Sequence, residues 1–494
     1  MNILLVASEV VPFAKTGGLA DVAGALPRAI ESLGHNVAVV MPCYAQARRG
    51  RAVQPTEWRV EVPIGKKNVA AEVFRANLPG SDVPVYLIDQ PAYFDRESLY
   101  GEKGRDYLDN CERFVFFSRA CLELARRFPF EVDVVHANDW QTGLVPAYLN
   151  EMYRSHPSLR STGSVFTLHN MAFQGRFWHW DMLLTGLDWP LFNWRELEFF
   201  GHLNLLKAGI VFADAVNTVS KKYAAEIQTA EFGYGLDGVV QSRRHDLFGI
   251  INGIDYSIWN PETDSNLAAN YNEDTFIHGK PKCKAALQAE HRLPQRPDVP
   301  VFGMVTRLDD QKGLDLVAGM AEEFLSADVQ LVVLGTGHLH YHSLLEDLSR
   351  RFGGKVGLNL KFDDSLAHRI YAGCDAFLMP SRYEPCGLNQ LICLKYGTVP
   401  IVRATGGLVD TIVDCTAASL AAGAATGFAF EPYSRDALLG CVRRALELWP
   451  QRDAWRRLQR IGMVQDWSWN RSASEYVGLY ERVRAKRAET VMTG

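Results

Sequence analysis

Short apolar runs recur along the first half of the chain, and stretches with helical periodicity alternate with them. The runs are NILLVAS, NVAVVMP, VDVVHA, GSVFTLH and DAVNTVS, and the helical stretches include 19–33, 105–127 and 141–154. Continuous apolar runs of this length are typical of parallel strands that helices cover on both faces. The pattern predicts a doubly wound α/β domain.

One segment of the first half departs from this pattern. Within 53–90, the stretches EWRVEVPIG, VAAEVFRA and VPVYLID alternate apolar with polar residues. Such alternation is typical of strands with one solvated face. We therefore predict an antiparallel hairpin that is added to the parallel sheet.

A second series of apolar runs begins near residue 300 and predicts a second doubly wound domain. Its runs are VPVFGMVT, VQLVVLG, KVGLNLKF, DAFLMPS and TVPIVR, and helical stretches follow at 313–325 and 388–396. A polar stretch with glycine and proline, 252–266, separates the two series and is the expected hinge. The predicted boundaries are 1–251 for the first domain, 252–467 for the second, and 468–494 for a last helix that crosses back to the first.

Composition and charge narrow the class of protein. A chain of 494 residues is too long for one ordinary core, and its net charge of -5 argues against a general nucleic-acid binder. No window approaches about 18 uninterrupted apolar residues, so we predict no membrane span, and no signal peptide is recognisable. The nine cysteines contain no C-x-x-C pair, which predicts free thiols, no metal site and a cytoplasmic protein.

Ligands of open α/β sheets bind beyond the carboxyl ends of the strands. Four sets of candidate binding residues follow strands in this chain, and the first consists of Lys15, Gly17, Gly18 and Asp21. Glycines allow a close approach to the backbone, and a lysine at a helix N-terminus completes an anion site. The same residues could instead form a structural turn, in which Asp21 stabilises the helix N-terminus.

The second polar set is Arg307 and Lys312 in TRLDDQKG, which follows the first strand of the second series. Two fixed cations at this spacing could hold a diphosphate and offset its charge as it leaves. The alternative is a solvated loop in which Asp309 and Asp310 pair with them.

The third polar set, in SRYEPCGLNQL, places Glu384 just before a helix. Its carboxylate could bind sugar hydroxyls while the N–H groups of Gly387 and Leu388 meet a phosphate. A capping carboxylate would have the same position. Nothing in the sequence supplies Cys386 with a base, so we predict an inert thiol or a backbone contact there.

The fourth polar set lies in HANDWQ and TLHNMAFQG, where Asp139, Trp140, His169 and Asn170 follow two strands of one sheet. A histidine in such a place can be purely structural. Taken together, however, the four sets indicate a cleft between two α/β domains, with cations for a diphosphate, and carboxylates and aromatic rings for a sugar.

A series of motifs extends across almost the whole chain: KTGGLADVAGALP, HANDWQ, LHNMAFQG, AEFGYGLDGVV, TRLDDQKGLDL, SRYEPCGL and TGGLVDTI. In these motifs and in their order along the chain, the protein resembles the bacterial glycogen synthases and plant starch synthases. The resemblance implies a GT-B fold, in which two Rossmann-like domains face a deep cleft. It also implies transfer of glucose from ADP-glucose to the non-reducing 4-hydroxyl of an α-1,4-glucan, with retention of configuration and without a cofactor or metal.

The resemblance also implies roles for individual residues. Arg307 and Lys312 would stabilise the departing ADP, Glu384 would hold the glucose, and His169 would contact its 6-hydroxyl. Asp139 would stand on the acceptor side. The implied substrate-binding residues are Lys15, Gly17, Gly18, Asp21, Trp140, Asn170, Asn252, Phe362, Cys386, Gly387, Leu388 and Asn389.

The chain departs from the family pattern in three places. Ile392 occupies the second position of the E-x7-E pattern, as is common in synthases of this type, and removes one ribose anchor. Asn389 stands where threonine is usual, and KFDD lacks the glycine before Phe362, which itself replaces tyrosine. The choice between ADP- and UDP-glucose and the oligomeric state stay open.

Three other functions compete with this interpretation. A glycoside hydrolase could use Asp139 and Glu384 as its two carboxylates, but it would not need the diphosphate cations. A retaining transferase that uses UDP-sugars on a small acceptor would share the fold and the cation pair. A non-catalytic glucan-binding protein would not need so complete a set of polar residues at strand ends.

Overall fold

The computed structural model describes residues 1–50, 53–102 and 104–493. The chain divides into two compact units. The first unit comprises Met1–Asn252 together with the segment from Trp469 onwards, and the second comprises Gly253–Ser468.

The first unit is built on a nine-stranded sheet. The strands of this unit are β1 (Asn2–Val6), β2 (Asn36–Pro42), β3 (Gln54–Ile64), β4 (Lys67–Asn77), β5 (Pro84–Asp89), β6 (Gly101–Glu102), β7 (Arg105–Asp106), β8 (Val134–Asn138), β9 (Gly163–Leu168), β10 (Arg176–Trp178), β11 (Glu198–Phe199), β12 (His202–Asn204), β13 (Ala215–Thr218) and β14 (Leu247–Gly249). The large sheet has the order β14-β13-β9-β8-β1-β2-β5-β4-β3, and β10-β12-β11 form a small separate sheet. Apolar side chains of β1 and β8 are fully buried, as the continuous apolar runs predict.

The hairpin predicted within 53–90 is confirmed. Strands β3 and β4 pair antiparallel, and β4 pairs antiparallel with β5 in a register that sets Glu72 opposite Asp89. Strand β5 also pairs parallel with β2, so it joins the hairpin to the parallel part of the sheet.

The helices of the first unit follow the predicted order, although two differ from their predicted extent. They are α1 (Gly18–Ser32), α2 (Ala45–Gly50), α3 (Pro91–Phe94), α4 (Asn110–Ala125), α5 (Leu144–Tyr148), α6 (Met182–Thr185), α7 (Leu205–Phe212), α8 (Lys221–Glu226) and α9 (Asp237–Ser242). The helix predicted from residue 105 begins only at Asn110, because β7 occupies its start. The one predicted over 141–154 is divided into a 3₁₀ turn, α5 and a π turn. Pro146 has no N–H to donate, so it is tolerated only in the first turn of α5.

The second unit is a six-stranded parallel sheet covered by helices. Its strands are β15 (Val301–Val305), β16 (Gln330–Leu334), β17 (Val356–Asn359), β18 (Ala376–Met379), β19 (Val399–Arg403) and β20 (Phe428–Phe430), in the order β17-β16-β15-β18-β19-β20. Its helices are α10 (Phe276–Glu290), α11 (Leu314–Ser326), α12 (Leu339–Arg351), α13 (Asp364–Gly373), α14 (Asn389–Lys395), α15 (Gly407–Thr411), α16 (Ala417–Ala421), α17 (Arg435–Leu448) and α18 (Arg452–Met463). One cluster of buried side chains, including Phe302, Val317 and Phe324, joins this sheet to α11 and α17.

The last helix, α19 (Trp469–Thr493), packs on the first unit. The hydroxyl of Tyr480 lies 2.8 Å from Nδ1 of the buried His136 on β8. The hydroxyl of Tyr476 accepts a hydrogen bond of 3.0 Å from Asn217 on β13. These polar contacts, set in a buried aromatic face, fix the register of α19 against the sheet.

The parallel part of each large sheet reverses its strand order at one place. In the first unit β1 lies between β2 and β8, and in the second β15 lies between β16 and β18. Crossovers on the two sides of such a strand run in opposite directions and leave a crevice at its carboxyl end. The predicted class, α/β with two doubly wound units, is therefore confirmed.

Candidate active site

A buried carboxylate organises the loop between β1 and α1. Glu9, 4% exposed, accepts hydrogen bonds from the Thr16 hydroxyl at 2.6 Å, the Thr16 N–H, the Gly17 N–H at 3.1 Å and the Tyr100 hydroxyl at 2.7 Å. The loop is therefore held in one arrangement. Glu9 is absent from the predicted site residues. The signal for it is a carboxylate directly after a buried strand and shortly before a glycine pair.

The two glycines of this loop are not required by packing. A Cβ added at Gly17 or Gly18 would meet no atom within 4 Å, and the φ of -148° at Gly17 is ordinary extended backbone. Lys15 is half exposed, and its Nζ lies 2.7 Å from Asp21 on the first turn of α1. Glycines that the fold itself does not need favour a close approach by a ligand over a structural turn.

Asp139 and His169 come together at the ends of β8 and β9. Asp139 has a φ of +54°, and its carboxylate accepts the His169 N–H at 2.7 Å. Desolvation, with the nearby charge of Glu9, raises the pKa of Asp139 to about 7. Burial lowers the pKa of His169 to about 3, so its imidazole is neutral at neutral pH.

The tautomer of His169 follows from its neighbour on β8. Nε2 of His169 lies 2.9 Å from Oδ1 of Asn138. Because an amide oxygen can only accept, the proton of the imidazole is assigned to Nε2. Nδ1 is then an acceptor for a ligand hydroxyl. Asn138, like Glu9, is absent from the predicted site residues.

Three further predicted residues of the first unit have different surroundings. Trp140 is 9% exposed and packs edge-on against Phe114, with ring centroids 5.0 Å apart. Asn170 turns its side-chain oxygen back to the Ala172 N–H at 3.0 Å. Asn252, 5% exposed, has a buried Oδ1 that finds no hydrogen-bond partner among the described residues. A buried acceptor of this kind calls for a ligand or a water molecule.

In the second unit, Lys312 and Glu384 form an ion pair at the switch point of the sheet. Nζ of Lys312 lies 2.7 Å from Oε2 of Glu384, and their side chains are 18% and 9% exposed. The Ser381 hydroxyl donates to the same oxygen at 2.9 Å. Gly313, φ +69°, fixes the turn after Lys312, since a Cβ there would lie 2.0 Å from the carbonyl oxygen of Pro380. Ser381 was not predicted.

Arg307 is far more exposed than Lys312 and Glu384. Its side chain is 58% exposed and lies 3.4 Å from Asp309, whose carboxylate also caps the turn that carries Lys312. Arg307 thus lies beside Asp309, the partner that the solvated-loop alternative names, and its role at the diphosphate stays a prediction. For Lys312 the solvated-loop alternative is wrong, because the partner of Lys312 is Glu384.

The segment after Glu384 leads into α14. Cys386 is 5% exposed, Gly387 has a φ of +71°, and Leu388 is the N-cap residue of the helix. Nδ2 of Asn389 donates to the Val305 carbonyl at 2.7 Å, which ties α14 to the end of β15. Asn389 therefore positions the loop through its side chain.

The two residues that the sequence analysis relates to the nucleotide differ in exposure. Phe362 follows the edge strand β17, two strands away from β15, and its ring is 81% exposed. Ile392, at the second position of the E-x7-E pattern, is buried within α14.

Neither a metal centre nor a membrane span is seen in the described ranges. In these residues no cluster of three or more His, Cys, Asp or Glu side chains could hold a metal ion. Within the same part of the chain, no helix is long and apolar enough to cross a membrane. The nine cysteines are buried, and none of them forms a disulfide bond within the described residues.

Comparison with protein families assigns both units. Residues 2–242 match the family described as "Starch synthase catalytic domain". Residues 288–460 match the family described as "Glycosyl transferases group 1".

Individual relatives are similar over the full length. The chain is 44% identical over 495 residues to a glycogen synthase of Rhodopirellula baltica, with 98% of each chain covered. It is 47% identical over 489 residues to a glycogen synthase of Anaeromyxobacter dehalogenans, covering 99% of this chain and 100% of the relative.

Two solved structures share the fold. The catalytic domain of starch synthase IV from Arabidopsis thaliana, bound to ADP and acarbose, matches with a TM-score of 0.90 and 33% identity over 98% of this chain and 99% of that chain. A sucrose-phosphate synthase from Thermosynechococcus elongatus matches with a TM-score of 0.60 and 17% identity over 98% and 99% of the two chains. The second match shows the fold alone.

Proposed function

The chain belongs to the starch and glycogen synthase family of glycosyltransferases, and we propose that it transfers glucose from ADP-glucose to the non-reducing 4-hydroxyl of an α-1,4-glucan with retention of configuration. The family shows that it is a glycosyltransferase of the GT-B fold. The roles of the individual residues are part of the proposal.

The observation that carries the proposal is the ion pair of Lys312 and Glu384 at the switch point of the second unit. The pair is mostly buried, so its charges act in a medium of lower dielectric constant than water. Lys312 and the exposed Arg307 provide positive charge for a diphosphate. Glu384 provides a fixed carboxylate for the hydroxyls of the transferred sugar.

In the proposed reaction, the bond between C1 of glucose and the β-phosphate oxygen breaks while C1 bonds to the acceptor oxygen. Arg307 and Lys312 meet the negative charge that develops on the departing ADP. The acceptor attacks on the face that ADP leaves, which retains the configuration, and the departing phosphate takes the proton of the acceptor hydroxyl. No protein nucleophile is assigned, and the buried Cys386 is not needed.

The first unit contributes neutral and acidic groups to the proposal. The neutral His169 offers Nδ1 to the sugar 6-hydroxyl, and the unpartnered Oδ1 of Asn252 accepts a hydrogen bond from the donor. The proposal assigns Asp139 to the acceptor side, where the ring of Trp140 lines the site. Lys15, on the glycine loop, is assigned to the diphosphate.

The proposal assigns the charge of the leaving group to side-chain cations, so it requires no cofactor. A cytoplasmic location stays a prediction. The preference for ADP-glucose also belongs to the proposal, because Phe362 and Asn389 depart from the family pattern near the nucleotide.

One assay tests the proposal. ADP-glucose and UDP-glucose are offered separately with glycogen, and the labelled glucose that enters the polymer is measured. We expect incorporation from ADP-glucose. No incorporation from either donor would overturn the proposed reaction, and faster incorporation from UDP-glucose would overturn the donor assignment. Release of glucose from glycogen without any nucleotide sugar would favour the hydrolase instead.

A further inference from the structure

The second unit has a cavity at the edge of its sheet opposite the candidate active site. The cavity has a volume of about 540 Å³, and side chains from α10, from the end of α17 and from α18 line it. Asp375, directly before the amino end of β18, lines it as well. Lys312 and Glu384, in contrast, follow the carboxyl ends of β15 and β18. The cavity is therefore separate from the residues that the proposed reaction uses, and its volume is that of a small-molecule site.

Positive charge prevails among the side chains that line the cavity. Two of the charged side chains are carboxylates, and both have a cation as partner. Asp375 pairs with Lys284 at 2.8 Å, and Asp298 pairs at 2.5 Å with Arg296, which is not among the described lining residues. Four lining side chains are cations: Lys280, Lys284, Arg452 and Arg456. The pairs inside the cavity therefore leave an excess of positive charge.

Lys280 brings a buried charge that no ion pair neutralises in the described part of the chain. It is 6% exposed, and its Nζ donates to the carbonyls of Ala372 and Tyr396 at 2.9 and 3.1 Å and to the Thr398 hydroxyl at 2.8 Å. These neutral acceptors use the three N–H donors of the ammonium group but leave its charge. Burial lowers the pKa of Lys280 to about 8, as expected for a cation away from water without a counter-ion. An anion in the cavity would supply the missing negative charge.

The two arginines of the cavity have N–H donors left for a ligand. The half-buried Arg452 lies 3.7 Å from the ring centroid of Trp449, and its one hydrogen bond among the described residues goes to the Asp298 carbonyl at 3.3 Å. Arg456 follows one helical turn later on α18, is 54% exposed, and has only a long pair of 3.8 Å with Asp453. Residues four apart share one face of a helix. Guanidinium groups bind phosphate and carboxylate groups through paired, charge-assisted hydrogen bonds.

A buried donor and an apolar wall complete the cavity. Trp455, 3% exposed, lines it, and the indole N–H of Trp455 has no acceptor among the described residues. Such a donor calls for an acceptor from a ligand or a water molecule. Phe276, Ile277 and Ala285 of α10 add apolar surface beside the cations, and Ile277 is 41% exposed. A ligand that fits both parts has an anionic group and an apolar face.

We propose that this cavity of the second unit binds a small organic anion, whose phosphate or carboxylate group faces Arg452 and Arg456 and whose apolar face contacts α10. The charge of Lys280 adds to the attraction. The site is additional to the donor and acceptor sites of the proposed reaction, and the inference does not rest on that reaction.

Titration calorimetry on the full-length protein tests the inference, with phenyl phosphate and phenylacetate as probes. Both probes carry an aromatic ring and an anionic group, and their comparison distinguishes a phosphate from a carboxylate. We expect at least one of them to bind with a dissociation constant below about 5 mM. Benzylamine has the same ring with the opposite charge and should bind at least about ten-fold more weakly. Saturating ADP should change the affinity for the anion by less than about two-fold.

Two matched double variants locate the bound probe. Arg452→Gln/Arg456→Gln removes the two accessible charges of the cavity and should weaken binding of the anion at least about ten-fold. Arg457→Gln/Arg460→Gln removes the same charge from the same helix, at positions outside the described lining of the cavity. It should leave the dissociation constant within about three-fold of wild type, because salt at about 0.15 M screens charges beyond about 8 Å. Thermal unfolding shows whether each variant is folded.

Three results would overturn the inference. The first is that neither anion binds with a dissociation constant below about 5 mM. The second is an equal loss of affinity in the two double variants. The third is displacement of the anion by ADP, or loss of its binding in a folded Lys312→Ala protein, either of which would place the probe at the candidate active site. A protein that binds the anion in the cavity but lacks transferase activity would support this inference and overturn the proposed reaction alone.

Discussion

Lys312→Ala is expected to lower kcat by about 10²–10³-fold, because it removes one of the fixed charges that the proposed mechanism assigns to the leaving diphosphate. That loss corresponds to about 2.7–4 kcal/mol of transition-state stabilisation. The prediction depends on the position of Nζ, which Gly313 and the turn capped by Asp309 hold against Glu384.

The same substitution has a cost in stability that is worked from its contacts. Removal of one partner from a buried ion pair typically costs about 3–5 kcal/mol. Here Lys312 is 18% exposed, and the Ser381 hydroxyl continues to donate to Glu384 at 2.9 Å. Since water and Ser381 both compensate the carboxylate, we expect a loss of about 1–3 kcal/mol in the free energy of unfolding.

Steady-state kinetics with ADP-glucose and glycogen, together with thermal unfolding, measure both effects. Lys284→Ala is the matched control, because Lys284 and Asp375 form a pair of 2.8 Å that is similarly buried, at the amino end of β18. This control should lose stability to a comparable degree. Its kcat per folded molecule should remain near that of the wild-type protein.

Two results would refute the reasoning. The first is a folded Lys312→Ala protein whose kcat lies within about three-fold of wild type. The second is an equal loss of kcat in Lys284→Ala, which would attribute the effect to the stability of the second unit instead of to charge at the diphosphate. Lys312→Arg, which keeps the positive charge, should recover part of the rate.

Three other perturbations test the first unit. Glu9→Gln places an amide NH2 against the N–H groups of the glycine loop, so it should raise the KM for the nucleotide sugar about ten-fold in steady-state kinetics. Tyr100→Phe removes a single hydrogen bond to Glu9 and should raise this KM less in the same assay. The pKa of Asp139 is about 7 in the folded protein, above its ordinary value near 4, so its ionisation costs stability as the pH rises between these values. The free energy of unfolding of wild type, minus that of Asp139→Asn, should therefore fall from pH 4 to pH 7 in urea titrations, and a flat difference would contradict the burial of that carboxyl. Tyr480→Phe leaves Nδ1 of the buried His136 without its hydroxyl partner, while Nε2 keeps Thr167, and it should cost about 1–3 kcal/mol in the same titrations, without any change in KM.

The sequence patterns predict most of the fold because each reflects a local physical constraint. Continuous apolar runs require burial on both faces, and strict alternation over 53–90 requires one solvated face, so β1, β8 and the hairpin are predicted correctly. The division of the helix predicted over 141–154 was not foreseen, although Pro146 is its visible cause. Strand β20 was also missed, since three residues are too few for a period.

Topology accounts for the positions of four predicted site residues. Asp139 and His169 follow strands of the first sheet, Lys312 and Glu384 follow strands of the second, and the rule for parallel sheets places each pair at the carboxyl edge of its own sheet. Their partners were not predicted. Glu9 receives its last bond from Tyr100, which lies 91 residues away in the chain. Periodicity carries no information about contacts over such separations, so the residues that hold the loops are seen only in the folded chain.

The two lysines assigned to the diphosphate differ in the free energy that is needed to separate each from its carboxylate partner. The pair of Lys15 and Asp21 is exposed, with side chains 49% and 34% accessible, and surface pairs of this kind contribute only about 0–1 kcal/mol. Lys15 can therefore leave Asp21 for a phosphate with little loss. Lys312 is held by the mostly buried Glu384, so separation of that pair would expose an uncompensated carboxylate. If both lysines bind the diphosphate as proposed, we expect Lys312 to meet the phosphate without leaving Glu384 and Lys15 to change its partner. Asp21→Asn should then change the KM for the nucleotide sugar by less than about three-fold, while Glu384→Gln should impair the reaction far more strongly.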